Sequence, residues 1–332
     1  MPAPRLSLCL IVRDDRTRLP RCLESVRGLV DEIVVVDTGS TDGTPEVARG
    51  FGAEVILTEW RDDFSAARNL GLERARGVWV LVLDADEWLP PASIEPLRTL
   101  AAREPAEAFH LLQTSQTPDG QVVRAPTVRL FPNRPDVRFR FPLHEEVNFD
   151  LRTAGLPLRA TAIEFMHAGY ADDAEIAQKR TRNRRIVDAA LARQPAPDAE
   201  VHLRFFRACF HLDTHAWAEA AQDFAWCAGQ ARRWRPGVGD AARLRLAECQ
   251  LALGQPALAL QSLALAPALE RHPLALCFRA RIARAQGDLA QAGLYYEAVR
   301  TLPERPCSPS VALGPLQAEA ARFLDAASVP VA

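Results

Sequence analysis

Acidic residues stand at the ends of three apolar runs. They are Asp14-Asp15 after Ile11-Val12-Arg13, Asp37 after Val34-Val35-Val36, and Asp84 and Asp86 after residues 78–83. Parallel strands present their carboxyl ends on one edge, so these acids converge on one cleft. Converging carboxylates repel and raise one another's pKa. A divalent cation and hydrogen-bond donors from a ligand relieve that repulsion. Hard Mg²⁺ or Mn²⁺, held by one or two carboxylates together with phosphates, fits the pattern. A bare Asp-x-Asp says little, but at the end of a six-residue apolar run it says much more. The competing reading is that Asp84 or Asp86 merely caps the helix that starts after it. Asp37 opens a turn-rich stretch, Thr38-Gly39-Ser40-Thr41-Asp42-Gly43-Thr44. An acid at a strand tip suits acceptance from a nucleobase N–H or a ribose hydroxyl. No G-x-G-x-x-G follows the first run and no G-x-x-x-x-G-K-[ST] occurs anywhere, which disfavours a dehydrogenase or a P-loop enzyme.

The elements that must position these acids are legible as alternating patterns. Residues 6–12 form an apolar run, and 16–27 show helical spacing through Leu19, Cys22, Leu23 and Val26. Residues 32–37 and 53–58 read as further strands with a short helix over 45–51 between them. A helix follows over 64–76, with Gly77 placed like a C-cap, and a fourth strand over 78–83. Short apolar runs alternating with helices predict βαβ units and a parallel sheet. Residues 109–114, 121–131 and 158–165 read as shorter strands, with Pro118-Asp119-Gly120 as a turn, so the sheet gains a mixed extension. After Tyr170 the text turns Ala-rich and helical. Gly254 and Gly287 are 33 residues apart, as are Ala259 and Ala292. That is close to the tetratricopeptide period of about 34 residues. A looser copy lies around residues 217–228. The predicted domains are 1–172, α/β, and 173–328, all-α.

Composition excludes several classes. The 332 residues are 48% hydrophobic and 25% charged, which excludes an intrinsically disordered chain. A net charge of -2 leaves no excess of positive charge to grip nucleic acid. The first 172 residues carry 20 basic and 26 acidic groups, and the remainder 20 and 16, giving an acidic and a mildly basic half. Lys179 is the single lysine among 40 basic residues. The seven cysteines are dispersed with no C-x-x-C pair, which argues against zinc-ribbon and thioredoxin chemistry and for reduced thiols. The first apolar run is too short to span a membrane and follows no cleavable signal pattern. The expected location is therefore cytoplasmic, with no transmembrane segment and no nucleic-acid partner; a homo-oligomer stays open.

The segments LSLCLIVRDDRTRLPRCLESV, EIVVVDTGSTDGT, DDFSAARNLGLERARGVWVLVLDADEWL, RLF, RFRFPLHEEV and HAGY, in that order, resemble a family 2 glycosyltransferase. The nearest branch in pattern carries C-terminal tetratricopeptide-like helices and includes peptide S-glycosyltransferases of the sublancin type. The resemblance is strong over about residues 5–170 and loose beyond. It implies a GT-A (Rossmann-like) fold with a mixed, mainly parallel sheet, a nucleotide-diphosphate sugar donor, a divalent cation (Mn or Mg), and single-displacement transfer with inversion. Position by position, it implies that Asp37 meets the nucleobase, Asp84 the ribose or the metal shell, and Asp86 the metal. Asp15 keeps a donor-side acid where the family usually has Glu in Asn-Glu. Arg68, in Ala67-Arg68-Asn69, is either a donor phosphate contact or a structural partner of a strand-end carboxylate. Inverting transfer needs a base for the acceptor proton; Glu145 is the choice by resemblance, and Glu146 the alternative. His144 would orient Glu145 or touch the donor, His167 would bind metal or diphosphate, and Arg138 and Arg140 would neutralise the leaving group. The expected acceptor is a peptide, protein or glycan, held by the helical domain. Two other readings stand beside this one: a tetratricopeptide adaptor with a degenerate transferase domain, and a sugar-nucleotide nucleotidyltransferase. The second lacks a Gly-rich first loop.

Overall fold

A computed structural model describes residues 5–116, 122–168, 173–234, 238–302 and 313–327. The chain divides into two compact units, Met1–Lys179 and Arg180–Ala332. The Pro118-Asp119-Gly120 turn lies outside the described residues.

In the first unit, β1 (Leu6–Val12), α1 (Leu19–Ser25), β2 (Glu32–Asp37), α2 (Thr44–Gly50), β3 (Glu54–Leu57), α3 (Phe64–Arg74) and β4 (Trp79–Val82) alternate. They are followed by β5 (Glu87–Trp88), α4 (Pro91–Ala101), β6 (Ala108–Gln116), β7 (Val122–Pro132), α5 (Asn148–Thr153) and β8 (Leu158–His167). The eight strands form one sheet in the order β3-β2-β1-β4-β7-β6-β8-β5. β3, β2, β1 and β4 are parallel, β7 is antiparallel to β4 and β6, β6 and β8 are parallel, and β5 closes the edge antiparallel to β8. The register Val12↔Asp37 and Cys9↔Val82 brings Asp14, Asp37 and Asp84 to the same edge.

The apolar runs are continuous because both faces of the parallel strands are covered. Leu6, Leu8, Leu10 and Val12 of β1 pack on one side with Leu19, Leu23 and Leu97. Cys9 packs on the other with Val34, Leu72, Val80 and Val82. On that second side α3 lies close, and the Cys9 thiol reaches the Gly71 carbonyl at 3.8 Å.

Gly77 is not the C-cap of α3. The helix ends at Arg74 with Ala75 as its cap. The glycine is needed for a different reason. A Cβ there would lie 2.5 Å from Ser7 Oγ and 2.7 Å from the Ser7 amide nitrogen. The Gly77 N–H donates to Ser7 Oγ at 2.8 Å, and the Ser7 hydroxyl donates to Glu32, so the neighbours cannot move aside. Gly77→Ala is expected to cost about 1–3 kcal/mol, the usual range for overpacking. Urea unfolding followed through Trp79, which is fully buried beside this site, checks it.

The second unit begins within α6 (Asp173–Ala192) and continues with α7 (Pro197–Asp213), α8 (Trp217–Trp234), α9 (Val238–Ala252), α10 (Pro256–Ala264), α11 (Pro273–Ala285), α12 (Leu289–Arg300) and α13 (Leu313–Ala327). Three helical hairpins repeat in register. Their turns place His215, Gly254 and Gly287 at positive φ of 57°, 72° and 81°. Before each turn sits a buried Ala208, Ala247 or Ala280; after it come a buried Ala220, Ala259 or Ala292, then Phe224, Leu263 or Tyr296, then Cys227, Ala266 or Val299. Small residues let the paired helices approach, and the bulky one fills the gap beyond them. The looser copy expected around residues 217–228 is therefore a hairpin of the same pattern. Its period is hidden because α8 has 18 residues where α10 has 9, and because His215 stands where the other turns have glycine. Among the described residues, no helix is long and apolar enough to cross a membrane.

Candidate active site

Helix α3 starts at Asp63, whose Oδ1 accepts the Ala66 N–H at 2.9 Å. That start presents Arg68 and Asn69 in succession toward the sheet edge. Arg68 is 8% exposed and lies between two acids. Its Nε–H donates to Glu145 Oε1 at 2.5 Å, and its Nη2–H donates to Asp84 Oδ1 at 2.7 Å. Burial alone would lower the Arg68 pKa, but Asp84 and Glu145 together hold it above its ordinary value, so the guanidinium stays charged. Burial would likewise raise Asp84, and Arg68 and then Arg129 outweigh it, holding the carboxyl well below the usual range. Of the two roles expected for Arg68, the geometry supplies the partner of a strand-end carboxylate.

Arg129 and Glu87, to which no motif in the sequence assigns a role, complete this cluster. Arg129 Nη2–H donates to Glu87 Oε1 at 2.6 Å and approaches Asp84 Oδ2 at 3.5 Å. Glu87 Oε2 accepts the Asp84 N–H at 2.9 Å. Burial pushes the Glu87 carboxyl upward against the pull of Arg129. Their only sequence signal is a charge inside an apolar strand: Arg129 sits between Val128 and Leu130-Phe131.

The segment carrying Glu145 is pinned at several points. Asn69 clamps the Phe139 backbone from both sides, donating to its carbonyl at 2.9 Å and accepting its N–H at 2.8 Å. Arg140 and Glu146 pair as an antiparallel bridge. Asp150 accepts the Arg138 N–H at 3.1 Å and the Arg140 guanidinium, which also lies 4.3 Å from the Phe149 ring. The Phe64 N–H donates to the Pro142 carbonyl at 3.0 Å. Phe141 and His144 take positive φ of 76° and 51° within this short segment, a strained backbone that its surroundings hold in place. Arg138 Nη1 donates to the Arg134 and Val137 carbonyls. Both arginines expected at a leaving group are thus engaged in shaping this loop. Glu145 Oε1 is held by Arg68, and Glu146 Oε2 accepts from Asn148 at 3.3 Å.

On the β2 side, Asp37 Oδ1 accepts the Gly39 and Ser40 N–H groups at 3.0 and 2.9 Å. Its Oδ2 is buried and has no partner among the described residues. A buried carboxylate oxygen without a donor is costly, so a ligand N–H or O–H would satisfy it. Asp37 lines a surface pocket of about 350 Å³ with Gly39, Ser40, Thr41 and Thr58. Asp14, in the left-handed region at φ 53°, accepts the Thr41 N–H at 2.7 Å and so ties the β1 loop to the β2 loop. Asp15 accepts from Arg18 Nε at 2.8 Å, and its N–H donates to Thr44 Oγ1 at 2.9 Å. Burial raises the Asp15 pKa, Arg18 offsets part of that, and the nearby Asp86 adds to it.

Pairing of β5 with β8 sets His167 opposite Glu87 and therefore beside Asp86. His167 Nε2 lies 3.6 Å from Asp86 Oδ2, and its Nδ1 lies 3.4 Å from Ser115 Oγ. Among the described residues no group of three or more His, Cys, Asp or Glu could hold a metal ion. A two-ligand protein share still fits Mg²⁺ or Mn²⁺, which keep waters and take oxygens from substrate phosphates. Asp84, expected at the ribose or the metal shell, has Oδ1 on Arg68 at 2.7 Å and Oδ2 3.5 Å from Arg129. Trp60 and Trp88 pack: Trp60 meets Phe64 edge-on at 4.7 Å, and the Arg21 guanidinium covers Trp88 at 3.3 Å.

A mixed, mainly parallel sheet with helices on both faces, strand-end acids on one edge and a charged cluster joining them to Glu145 defines an α/β domain with one acidic sheet edge. Residues 7–145 match the sequence model described as Glycosyl transferase family 2, and this stretch is a glycosyltransferase family 2 domain. A TPR repeat-containing protein of Synechococcus elongatus is 50% identical over 147 residues, covering 44% of this chain and 36% of its own length. The SPbeta prophage-derived glycosyltransferase SunS of Bacillus subtilis is 36% identical over 85 residues, covering 25% of this chain and 20% of its own. Among solved structures, S. aureus TarS 1-349 in complex with UDP-GlcNAc aligns over 97% of this chain and 91% of its own, at 11% identity and a TM-score of 0.44. The chain thus spans little more than a third of the first of these curated relatives and a fifth of the second.

Proposed function

We propose that the protein transfers a sugar from a nucleotide-diphosphate donor to a peptide, protein or glycan acceptor, with inversion and with a divalent cation. The observation that carries this reading is the Arg68 bridge, which fixes Glu145 and Asp84 on the edge where Asp37 and Asp86 also stand. In this reading Asp37 Oδ2 accepts from the nucleobase, and Asp15 faces the donor. Asp86 and His167 would hold Mn²⁺ or Mg²⁺, which when bound offsets the charge of the diphosphate. Glu145 Oε2 takes the proton of the acceptor nucleophile as that atom bonds to the anomeric carbon and the bond to the nucleoside diphosphate breaks. Arg140 and His144 serve by shaping the loop that carries this base. The helical repeats contribute to choosing the acceptor. The protein works in the cytoplasm on this reading.

The test is a panel of nucleotide sugars with Mn²⁺, read as binding and donor hydrolysis. At least one donor should bind and turn over. Asp86→Ala should lower the metal-dependent turnover by about 10²–10³-fold, the usual cost of losing one charge-stabilising group. No donor bound by the wild-type protein, with or without metal, would overturn the reading.

A further inference from the structure

The pair formed by Arg129 and Glu87 is a puzzle in stability terms. Arg129 is 7% exposed and Glu87 1%. Burying two such groups carries a heavy desolvation cost, and well-packed apolar residues of similar volume often serve a fold as well or better. The pairing is also incomplete, because Arg129 Nε is buried with no partner among the described residues. The guanidinium is aimed by the Phe165 ring at 4.8 Å and by Glu87, not by a full set of acceptors.

What the pair does hold is Asp84, and it holds it twice. Glu87 Oε2 takes the Asp84 backbone N–H at 2.9 Å, while Arg129 Nη2 stands 3.5 Å from Asp84 Oδ2. The carboxylate is thereby turned so that Oδ1 meets Arg68 at 2.7 Å, and Arg68 in turn meets Glu145. Five charged side chains from β5, β7, the end of β4, α3 and the loop after β7 form one alternating row: Glu87, Arg129, Asp84, Arg68, Glu145. The fork of Arg68 can reach both acids only while Asp84 keeps that rotation, because a guanidinium presents its donors in a fixed plane.

We infer that Arg129 and Glu87 are positioning residues, which set Asp84 so that Arg68 holds Glu145 in its working place. Neither touches the reacting atoms. The kinetic part of this inference rests on Glu145 being the base; the structural part does not.

The experiment uses the full chain with Glu87→Gln/Arg129→Met, and Arg129→Lys as the conservative variant. The first readout is the Arg68 Nε–H in ¹⁵N spectra, assigned by its loss in Arg68→Lys. Its exchange with water should become roughly tenfold faster in the double variant and change less in Arg129→Lys, which keeps one charged contact. The second readout is donor hydrolysis over the nucleotide-sugar panel. There kcat should fall by up to about 10²-fold with KM within twofold, since a displaced base costs rate, not donor affinity. Unchanged Arg68 exchange in the double variant overturns the inference. An unchanged kcat in a folded double variant whose Arg68 exchange has risen overturns the kinetic part, and with it Glu145 as the base, while the structural part stands. Should the double variant not fold, unchanged Arg68 exchange in a folded Arg129→Gln variant, which removes the cation beside Asp84, overturns the inference equally. A wild-type protein inert toward every donor would refute the functional reading alone, and the Arg68 exchange would still decide this one.

Discussion

Arg68→Met should destabilise the sheet unit by about 3–5 kcal/mol, because it leaves two carboxylates facing each other without the cation between them. Asp84 keeps a 36% exposed side chain, so water takes up part of that cost and the lower end of the range is expected. For a unit of this size the loss corresponds to roughly 6–12 °C in Tm. Arg68→Lys keeps the charge but offers a single ammonium where two acids need a fork, and should fall between the two. Thermal unfolding by circular dichroism decides it; an Arg68→Met midpoint within about 2 °C of wild type would mean that the bridge carries no stability. The pH dependence has a definite sign. Asp84 is held below its ordinary 3.8, so its contribution is complete above that pH and drains away as the pH falls toward the folded-state value. In Arg68→Met the largest share of the depression is gone while Arg129 still supplies some, so this part of the acid destabilisation should shrink.

Glu145→Gln should leave the fold and the donor affinity nearly untouched and remove transfer. The amide oxygen can still accept from Arg68 Nε, so the bridge survives in weaker form. What is lost is the ability to take a proton, worth about 10²–10⁴-fold in kcat for a general base. Calorimetric titration with the donor found in the panel, run beside the transfer assay, separates the two effects. Transfer at the wild-type rate would remove Glu145 from the role of base and leave Glu146 as the candidate.

The parts of this site that the sequence exposes are those where a pattern stops. A fully apolar run ending in an acid is conspicuous, and Asp37, Asp84 and Asp86 stand out that way. The parallel order of the first strands follows from the same runs. The contacts that decide each residue's task are less visible. Asp84 reads as facing the ribose or the metal shell, and the two guanidiniums from α3 and β7 that pair with it lie 16 and 45 residues away along the chain. Nothing in the sequence pairs Arg140 with Asp150, ten residues on, which holds its guanidinium. The two-residue strand β5 has no pattern of its own; it exists because β8 offers an open edge. Gly77 reads as a helix stop and is in fact a close approach of two strands.

The alternating row of charges also limits how this domain can drift. A neutral change at Asp84 leaves Arg68 and Arg129 with one acid each, and a change at Arg68 leaves Asp84 to Arg129 and takes the cation from Glu145. An apolar exchange at any one member removes a partner from its neighbours in the row. Among relatives these five positions should therefore be inherited or abandoned as a block, while the surrounding strand and helix residues vary one at a time.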